Sequence, residues 1–310
     1  MRSVARALVL VVAVVAGGVG FYVYRNPERV TLDDAARANV GGRFVRLTGG
    51  VTHYELAGPD TGRVVVLVHG RSVPYYIWDS TAAALPRAGV RVLRYDLFGR
   101  GYSDRPNVDY TPALLDRQLV ELLDSLRIAD RIDLIGLSMG GLVVANFANH
   151  HAGRLRTLTL MDPVAGGRGS LPLVMRVPGL REYLWQTTVV PGMADGQTSD
   201  FAHPERFPDW VARYRPQMRY RGFGRAMLST ALQRATVNLD SVYRQTGALT
   251  VPVLLLWGRE DRTVPFARSA DVRRDMPRAQ FVPIAGAAHL PAIEQSAETH
   301  DILVRFLRAH

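Results

Sequence analysis

The sequence is constrained most by residues 132–141, where an apolar run with strand character is followed at once by a helical pattern. Gly136, Ser138 and Gly140 stand at the junction in the order Gly-x-Ser-x-Gly. This order is typical of a nucleophile elbow, a sharp strand-to-helix turn that exposes a serine hydroxyl at the end of a sheet. Glycines allow the strand and helix to pack closely, and free N–H groups at the start of the helix can stabilise an anion. The alternative is a glycine-rich turn with an incidental serine.

Strand-like and helical segments alternate along most of the chain, which predicts an α/β fold. Apolar runs such as residues 64–68 are typical of parallel strands that are buried on both faces. We therefore expect a mostly parallel central sheet covered by helices on both faces. Residues 163–247 break the alternation with helical patches alone, at 171–177, 207–214 and 224–233, which predicts a helical cap insertion. Besides the elbow strand, the predicted strands are residues 43–47, 51–57, 64–68, 90–95, 155–161, 253–257 and 280–284, and helices are expected at 112–126, 265–274 and 293–307.

Composition excludes several kinds of site. The 310 residues include no cysteine, which excludes disulfides, thiolate catalysis and cysteine-ligated metals. The histidines and carboxylates show no metal-ligand spacing, so we expect no metal. The formal net charge of +10 comes with no nucleic-acid-binding motif, so we expect no nucleic-acid partner and interpret the excess as a solvated charged face.

The N-terminus forms a segment of its own. Residues 7–24 are apolar and uncharged, follow Arg2 and Arg6, and are just long enough to span a bilayer, which needs about 20 apolar residues. One interpretation is a signal peptide, with Val14 and Ala16 before the cleavage site. The other is an uncleaved anchor, which we favour because the apolar run continues well past that site.

The predicted organisation has an N-terminal appendage, a split core and a cap. It comprises a membrane anchor or signal segment (residues 1–25), a linker (26–41), an α/β core (42–162 and 248–310) and a helical cap (163–247). A short N-terminal tail is expected to stay in the cytoplasm, which puts the remaining domain outside it. If the segment is cleaved, the protein is secreted instead.

A serine hydroxyl is a poor nucleophile unless a base takes its proton and a third group orients that base. In folds with an elbow of this kind, the chain order is serine, acid, histidine. Asp261 follows the predicted strand 253–257, and His289 follows the strand 280–284. Both are therefore expected at the sheet edge that carries Ser138, where ligands bind in open α/β sheets.

From about residue 42 to the C-terminus, the chain resembles the α/β-hydrolase superfamily. His69-Gly70 resembles the oxyanion-loop motif of that family, and residues 96–103 resemble its loop after the next strand. Residues 136–141 resemble the elbow of its serine esterases and lipases. These three motifs, and the acid and histidine positions as a fourth, occur in the order that is typical of the family.

The resemblance implies a role for each motif residue. Ser138 would be the nucleophile, His289 the general base and Asp261 the orienting acid. The backbone N–H groups of Arg71 and Met139 would form the oxyanion hole. Some family members place the acid after the strand that precedes the cap, which makes Asp162 the alternative acid.

The implied function is hydrolysis of a small-molecule carboxylic ester, lipid-like or small, through an acyl-enzyme and without a cofactor. In the cap, Trp185, Trp210 and Met227 are the candidate substrate contacts, and the alternative is that most of them pack the cap onto the sheet domain. Two alternatives remain open: a carbon–carbon bond hydrolase of the aromatic-degradation type, and a non-catalytic hydrolase-like binding protein. The sequence predicts no oligomeric state.

Overall fold

An eight-stranded sheet forms the centre of the protein, which the computed structural model describes over residues 2–166 and 172–310. The strands are β1 (Arg43–Leu47), β2 (Gly50–Ala57), β3 (Val64–Val68), β4 (Arg91–Tyr95), β5 (Ile132–Leu137), β6 (Leu155–Met161), β7 (Val253–Gly258) and β8 (Gln280–Ile284). Their spatial order is β1-β2-β4-β3-β5-β6-β7-β8. β2 is antiparallel to both neighbours, and all the other pairs are parallel. The predicted mostly parallel sheet is confirmed, with strand ends within one residue of the predicted positions.

The register brings the carboxyl ends of the central strands to one edge. Val68 of β3 pairs with Gly136 of β5, and Gly136 pairs in turn with Leu160 of β6. On the far side, Gly258 of β7 pairs with Ile284 of β8. The loops that follow these strands therefore start side by side, as parallel strands require.

Helices cover both faces of the sheet. Thr111 caps the helix predicted after it, because its hydroxyl accepts a hydrogen bond from the Leu114 N–H. The last helix, predicted as a single helix over 293–307, is two helices, because the backbone of Gln295 lies outside the helical region. The helices are α1 (Arg2–Arg25), α2 (Asp34–Arg37), α3 (Asp79–Ala84), α4 (Pro112–Ser125), α5 (Met139–His151), α6 (Leu180–Leu184), α7 (Trp210–Tyr214), α8 (Phe223–Thr236), α9 (Leu239–Ala248), α10 (Ser269–Asp275), α11 (Pro291–Glu294) and α12 (Ser296–Ala309).

The insertion between β6 and β7 is a helical cap made of short elements. Between α6 and α8 the chain forms a π-helical turn and several 3-10 turns, with α7 as the only α-helix among the described residues there. The predicted helical patch 171–177 is a 3-10 turn over Leu173–Arg176, and its first residue lies outside the described residues.

Helix α9 belongs with the sheet and not with the cap. It packs on α5 and α10, and the Asn149 side-chain amide donates to the Val242 carbonyl at 3.1 Å. The Thr246 hydroxyl also donates to the Asn149 side chain at 3.0 Å. We infer that the cap ends near residue 237, about ten residues before the predicted boundary at residue 247.

Within the predicted linker of residues 26–41, residues 28–30 contact the cap and Arg37 contacts the loop that carries Tyr102 and Asp104. Val30 forms an isolated parallel bridge with Tyr220. The Glu28 carboxylate accepts hydrogen bonds from the backbone N–H groups of Gly222 (2.5 Å) and Gly224 (2.7 Å). These contacts bring the end of α1 next to the cap.

Candidate active site

Ser138 occupies a strained turn between β5 and α5. Its φ of 56° and ψ of −120° lie in a region that non-glycine residues rarely adopt. A Cβ on Gly136 would overlap the Gly140 carbonyl, and a Cβ on Gly140 would overlap the Val68 carbonyl. The two glycines therefore let β5, α5 and the end of β3 meet around the serine, which gives the Gly-x-Ser-x-Gly pattern its physical basis.

His289 and Asp261 meet after the ends of β8 and β7. The His289 Nδ1 lies 2.8 Å from the Asp261 Oδ2, and both side chains are buried. The other oxygen of Asp261 accepts from the backbone N–H groups of Thr263 (2.8 Å) and Val264 (2.9 Å). A carboxylate held in this way accepts a hydrogen bond from Nδ1–H, which leaves the Nε2 lone pair of His289 as the basic site.

Two opposing effects act on the pKa of His289. Burial lowers it, because the charged imidazolium loses solvation, while the hydrogen bond and charge of Asp261 raise it. The partner outweighs burial, so the pKa of His289 lies above its usual value of about 6.5.

A cavity of about 450 Å³ joins the candidate residues. Ser138 and His289 both line it, as do Arg71 and Met139, while Asp261 lies behind His289. The structure thus brings all five predicted residues of the sheet edge together. Met139 is the first residue of α5, where backbone N–H groups have no acceptor within the helix and can bind an anion.

His69 fixes the direction of the Arg71 N–H. Its Nδ1 donates to the Gly70 carbonyl at 2.8 Å, and its Nε2 accepts from the Leu97 N–H at 2.9 Å. Burial lowers the pKa of His69 to about 4, so the ring stays neutral and can donate from Nδ1 while it accepts at Nε2. Because a trans peptide is planar, holding the Gly70 carbonyl orients the Arg71 N–H in the opposite direction.

Two residues that sequence reasoning missed hold the next two carbonyls of the same loop. The buried Arg100 guanidinium donates to the Arg71 carbonyl at 2.7 Å. The Gln217 side chain, which belongs to the cap, donates to the Ser72 carbonyl at 2.9 Å. The three successive carbonyls of residues 70–72 are therefore each held by a side chain, and one of these side chains, Gln217, belongs to the cap. The only sequence signal for Arg100 is its place in the 96–103 loop, and Gln217 has none.

Asp162, the alternative acid, lies beside Asp261 but plays a different structural part. Its Oδ1 accepts from the Gly258 N–H at 2.8 Å, and its backbone has a φ of 43°. Burial and the neighbouring charge of Asp261 raise the pKa of Asp162 well above its usual range. The raised pKa favours the protonated form of Asp162, and Asp261 is the carboxylate that contacts His289.

The same three side chains are the candidate metal ligands among the described residues. Ligand atoms of Asp162, Asp261 and His289 lie within 4.8 Å of one another. The hydrogen bond between His289 and Asp261 already uses one atom of each, and all three side chains are buried. This cluster is better suited to sharing protons than to holding an ion.

The expected substrate contacts in the cap need correction. None of Trp185, Trp210 and Met227 is among the described residues that line the cavity. Trp210 packs edge-on against Phe201, with ring centroids 5.1 Å apart, and Met227 is fully buried inside the cap. Trp210 and Met227 are buried, and large apolar side chains gain most from complete burial, so these two residues stabilise the cap itself, while Trp185 is only half-buried. The cap residues that do line the cavity are Gly196, Gln197, Ser199, Asp200, Thr230, Ala231 and Arg234.

Asp200 ties the cap to the His289 loop. Its carbonyl accepts from the His289 N–H at 3.0 Å, and its carboxylate accepts from the Thr263 hydroxyl at 2.6 Å. Glu294 makes a parallel link, since its carboxylate accepts from the N–H groups of Ala288 (2.7 Å) and Ala202 (2.9 Å). The position of the cap is therefore coupled to that of His289.

Comparisons with known proteins agree with this geometry. A family model described as alpha/beta hydrolase fold matches residues 63–296. The chain is 28% identical over 296 residues to 2-hydroxy-6-oxo-2,4-heptadienoate hydrolase of Pseudomonas putida, covering 86% of this chain and 96% of that protein. It is similar in structure to an enol-lactonase from Burkholderia xenovorans LB400, with a TM-score of 0.74 and 26% identity over 86% of this chain and 100% of the other. A thermophilic esterase from Thermogutta terrifontis is similar, with a TM-score of 0.73 and 26% identity over 86% of this chain and 99% of the other. Because the family model matches well over half of this chain, the chain belongs to the alpha/beta hydrolase fold family.

Proposed function

We propose that the protein is a serine hydrolase that cleaves carboxylic esters through an acyl-enzyme, with Ser138, His289 and Asp261 as its triad. One observation carries the proposal. Ser138, on a strained elbow, lines the same cavity as His289, whose Nδ1 is hydrogen-bonded to the buried Asp261. The names of two proteins to which the chain is similar, an esterase and an enol-lactonase, indicate that they act on ester bonds.

Each step follows from the groups at the sheet edge. His289 Nε2 takes the proton of the Ser138 hydroxyl as its oxygen attacks the ester carbonyl. The N–H groups of Arg71 and Met139 hold the resulting oxyanion. His289 then protonates the leaving alcohol, and the acyl group stays on Ser138. A water molecule, deprotonated by His289, attacks this acyl-enzyme, and His289 returns the proton to the Ser138 oxygen as the acid is released.

Hydrolysis of p-nitrophenyl esters from acetate to palmitate tests the proposal. Wild type should turn over some of the series, and Ser138→Ala and His289→Ala should lose nearly all of the activity. The dependence on acyl length then measures the usable part of the cavity. A wild type that is inert on every ester and does not react with a fluorophosphonate would contradict the proposal.

A second candidate is hydrolysis of a carbon–carbon bond in a vinylogous diketone acid. The supporting observations are the 28% identical dienoate hydrolase and the presence of two arginines, Arg71 and Arg234, among the cavity-lining residues. Guanidinium groups suit the carboxylate of such a substrate. A protein that labels with a fluorophosphonate but ignores all esters favours this candidate, and the loss of dienolate absorbance then measures its activity.

We further propose that α1 is a retained membrane anchor that holds the catalytic domain outside the cytoplasm. α1 has 24 residues, none of them buried, and is long and apolar enough to cross a bilayer. Its carboxyl end is docked on the cap, where the Arg25 guanidinium donates to the Thr187 carbonyl at 2.9 Å. A cleaved signal peptide would lose this contact. The intact mass of protein extracted from membranes should include α1, and a secreted product lacking it would contradict the proposal.

A further inference from the structure

The exposed apolar side chains of the domain are gathered in one place. Among the described residues outside α1, six large aliphatic side chains are exposed, and five of them lie between residues 173 and 189 of the cap. We name these five side chains the cap ledge: Leu173, Val174, Val177, Leu180 and Val189. The sixth is Val108, on a loop outside the cap. A cluster of this kind marks a surface that meets an apolar partner.

The cap ledge adjoins the carboxyl end of α1. The Tyr183 ring, on the helix that starts at Leu180, stacks on Tyr22 of α1 with centroids 6.1 Å apart. The Tyr183 hydroxyl also donates to the Gly18 carbonyl at 3.0 Å. Two independent contacts therefore place the last turns of α1 against the segment that carries the cap ledge.

The position of the cap ledge identifies its partner. A bilayer crossed by α1 has one surface near the carboxyl end of that helix, and this is where the cap ledge lies. Tyrosine rings favour the headgroup level, which suits Tyr22 and Tyr183 at the point of contact. Arg176 is exposed on the same segment, and its cationic head suits anionic lipid headgroups.

We propose that the cap ledge inserts into the surface of the membrane that α1 crosses, so that the cap lies flat on the lipid. The proposal rests on the membrane anchoring of α1 proposed above. Because the cap also lines the cavity through Gly196 and Asp200, this docking holds that wall of the site near the bilayer. The domain then has one fixed orientation on the membrane instead of moving freely on a tether.

Single cysteines can test this, because the chain has none of its own. Val177→Cys reports the cap ledge, Val12→Cys reports α1, and Val108→Cys is the control. The control is closely matched, since Val177 is 49% exposed and Val108 48%. Each full-length variant carries a nitrobenzoxadiazole label in phosphatidylcholine–phosphatidylglycerol vesicles. Quenching by nitroxide lipids and by aqueous iodide is measured for each, and circular dichroism checks that each variant is folded.

The proposal predicts a blue-shifted emission and quenching by nitroxide lipids for the labels at positions 12 and 177. The label at position 108 should be quenched by iodide alone. If position 177 behaves like position 108 while position 12 is in lipid, the docking proposal is wrong and the anchor stands. If position 12 is quenched by iodide, the anchor is wrong and the docking proposal falls with it. Protection of position 177 from both quenchers would mean that a second copy covers the cap ledge, which also overturns the proposal.

Discussion

The sheet edge and the cap, which meet at the cavity, are built in different ways. At the edge, backbone groups fix the positions: the Ser138 N–H donates to the Met161 carbonyl at 2.9 Å, and the Asp162 N–H donates to the Leu256 carbonyl at 3.0 Å. The cap is a series of short helical turns followed by the longer helix α8, and it contacts the site through the Gln217 side chain and through the carbonyl and carboxylate of Asp200. This difference suggests that the edge supplies the chemistry and that the cap sets its precision and selectivity.

The largest effect is expected at the edge. Asp261→Asn keeps the shape of the side chain but can no longer fix His289 in the required tautomer. We expect kcat to fall by about 10⁴-fold, as is typical when the carboxylate of a Ser-His-Asp triad is replaced. Asp162→Asn is the matched control and should stay within a few-fold of wild type. Stopped-flow ester hydrolysis measures both, and the reverse order of effects would make Asp162 the triad acid.

The pH profile tests the balance of forces on His289. Neutral imidazole is the active form, so activity is lost as pH falls through the pKa of His289. Because Asp261 raises that pKa, the acid limb of kcat/KM should have its midpoint above about 6.5. Asp261→Asn removes the carboxylate that raises this pKa most, while burial still lowers it, so the residual activity should persist to lower pH. An acid limb that does not move in this variant would show that another group titrates.

Variants of Asp162 test whether a side chain with a raised pKa stabilises the sheet edge. Asparagine can keep the bond from the Gly258 N–H, whereas alanine cannot. Asp162→Ala should lose about 1–3 kcal/mol of unfolding free energy, since it leaves buried groups unpaired. The pKa of wild-type Asp162 is raised on folding, so its contribution to stability is complete below the unfolded pKa of about 3.9 and declines as pH rises towards the folded value. Asp162→Asn does not titrate, so its melting temperature relative to wild type should increase between pH 4 and 7. A constant difference would contradict a raised pKa.

The cap contribution to the oxyanion loop should be smaller. Gln217→Leu removes the bond to the Ser72 carbonyl and should lower kcat roughly tenfold, equivalent to about 1.4 kcal/mol, with little change in KM. Gln245→Leu, on the exposed face of α9, is the matched control and should leave kcat unchanged. Equal kcat values in both variants would mean that the cap does not position this loop.

The smallest effect on catalysis is expected inside the cap. Met227 is fully buried, so Met227→Ala should cost about 2–5 kcal/mol of stability while leaving the preferred acyl length unchanged. Ala231, four residues later on α8, lines the cavity, and Ala231→Leu should instead shorten the preferred acyl chain with little loss of stability. Thermal melts and the p-nitrophenyl ester series separate the two outcomes. A changed acyl preference in Met227→Ala would return that residue to the substrate site.

The sheet edge is predicted better from the sequence than the cap, because the two regions are built differently. A buried parallel strand is a continuous apolar run, so β3 begins and ends at the predicted residues. The elbow is equally local, because Gly136, Ser138 and Gly140 are neighbours whose steric needs appear in the pattern itself. Both kinds of feature are fixed by short-range chemistry that a sequence displays directly.

The features that were missed depend on long-range packing. Gln217 lies 145 residues from the Ser72 carbonyl that it holds, and no periodicity connects them. Trp210 and Met227 are apolar residues in a cap, and their sequence does not distinguish lining a cavity from filling the cap interior. The helical pattern of α9 likewise does not reveal that it packs on α5.

The central claim is that Ser138 is an activated nucleophile, and covalent labelling tests it most directly. Full-length protein is treated with a fluorophosphonate, and the modified peptide is identified by mass spectrometry. We expect a single adduct on Ser138, formed much more slowly in His289→Ala and absent in Ser138→Ala. A folded wild type that gains no adduct, or gains one on another residue, would contradict it.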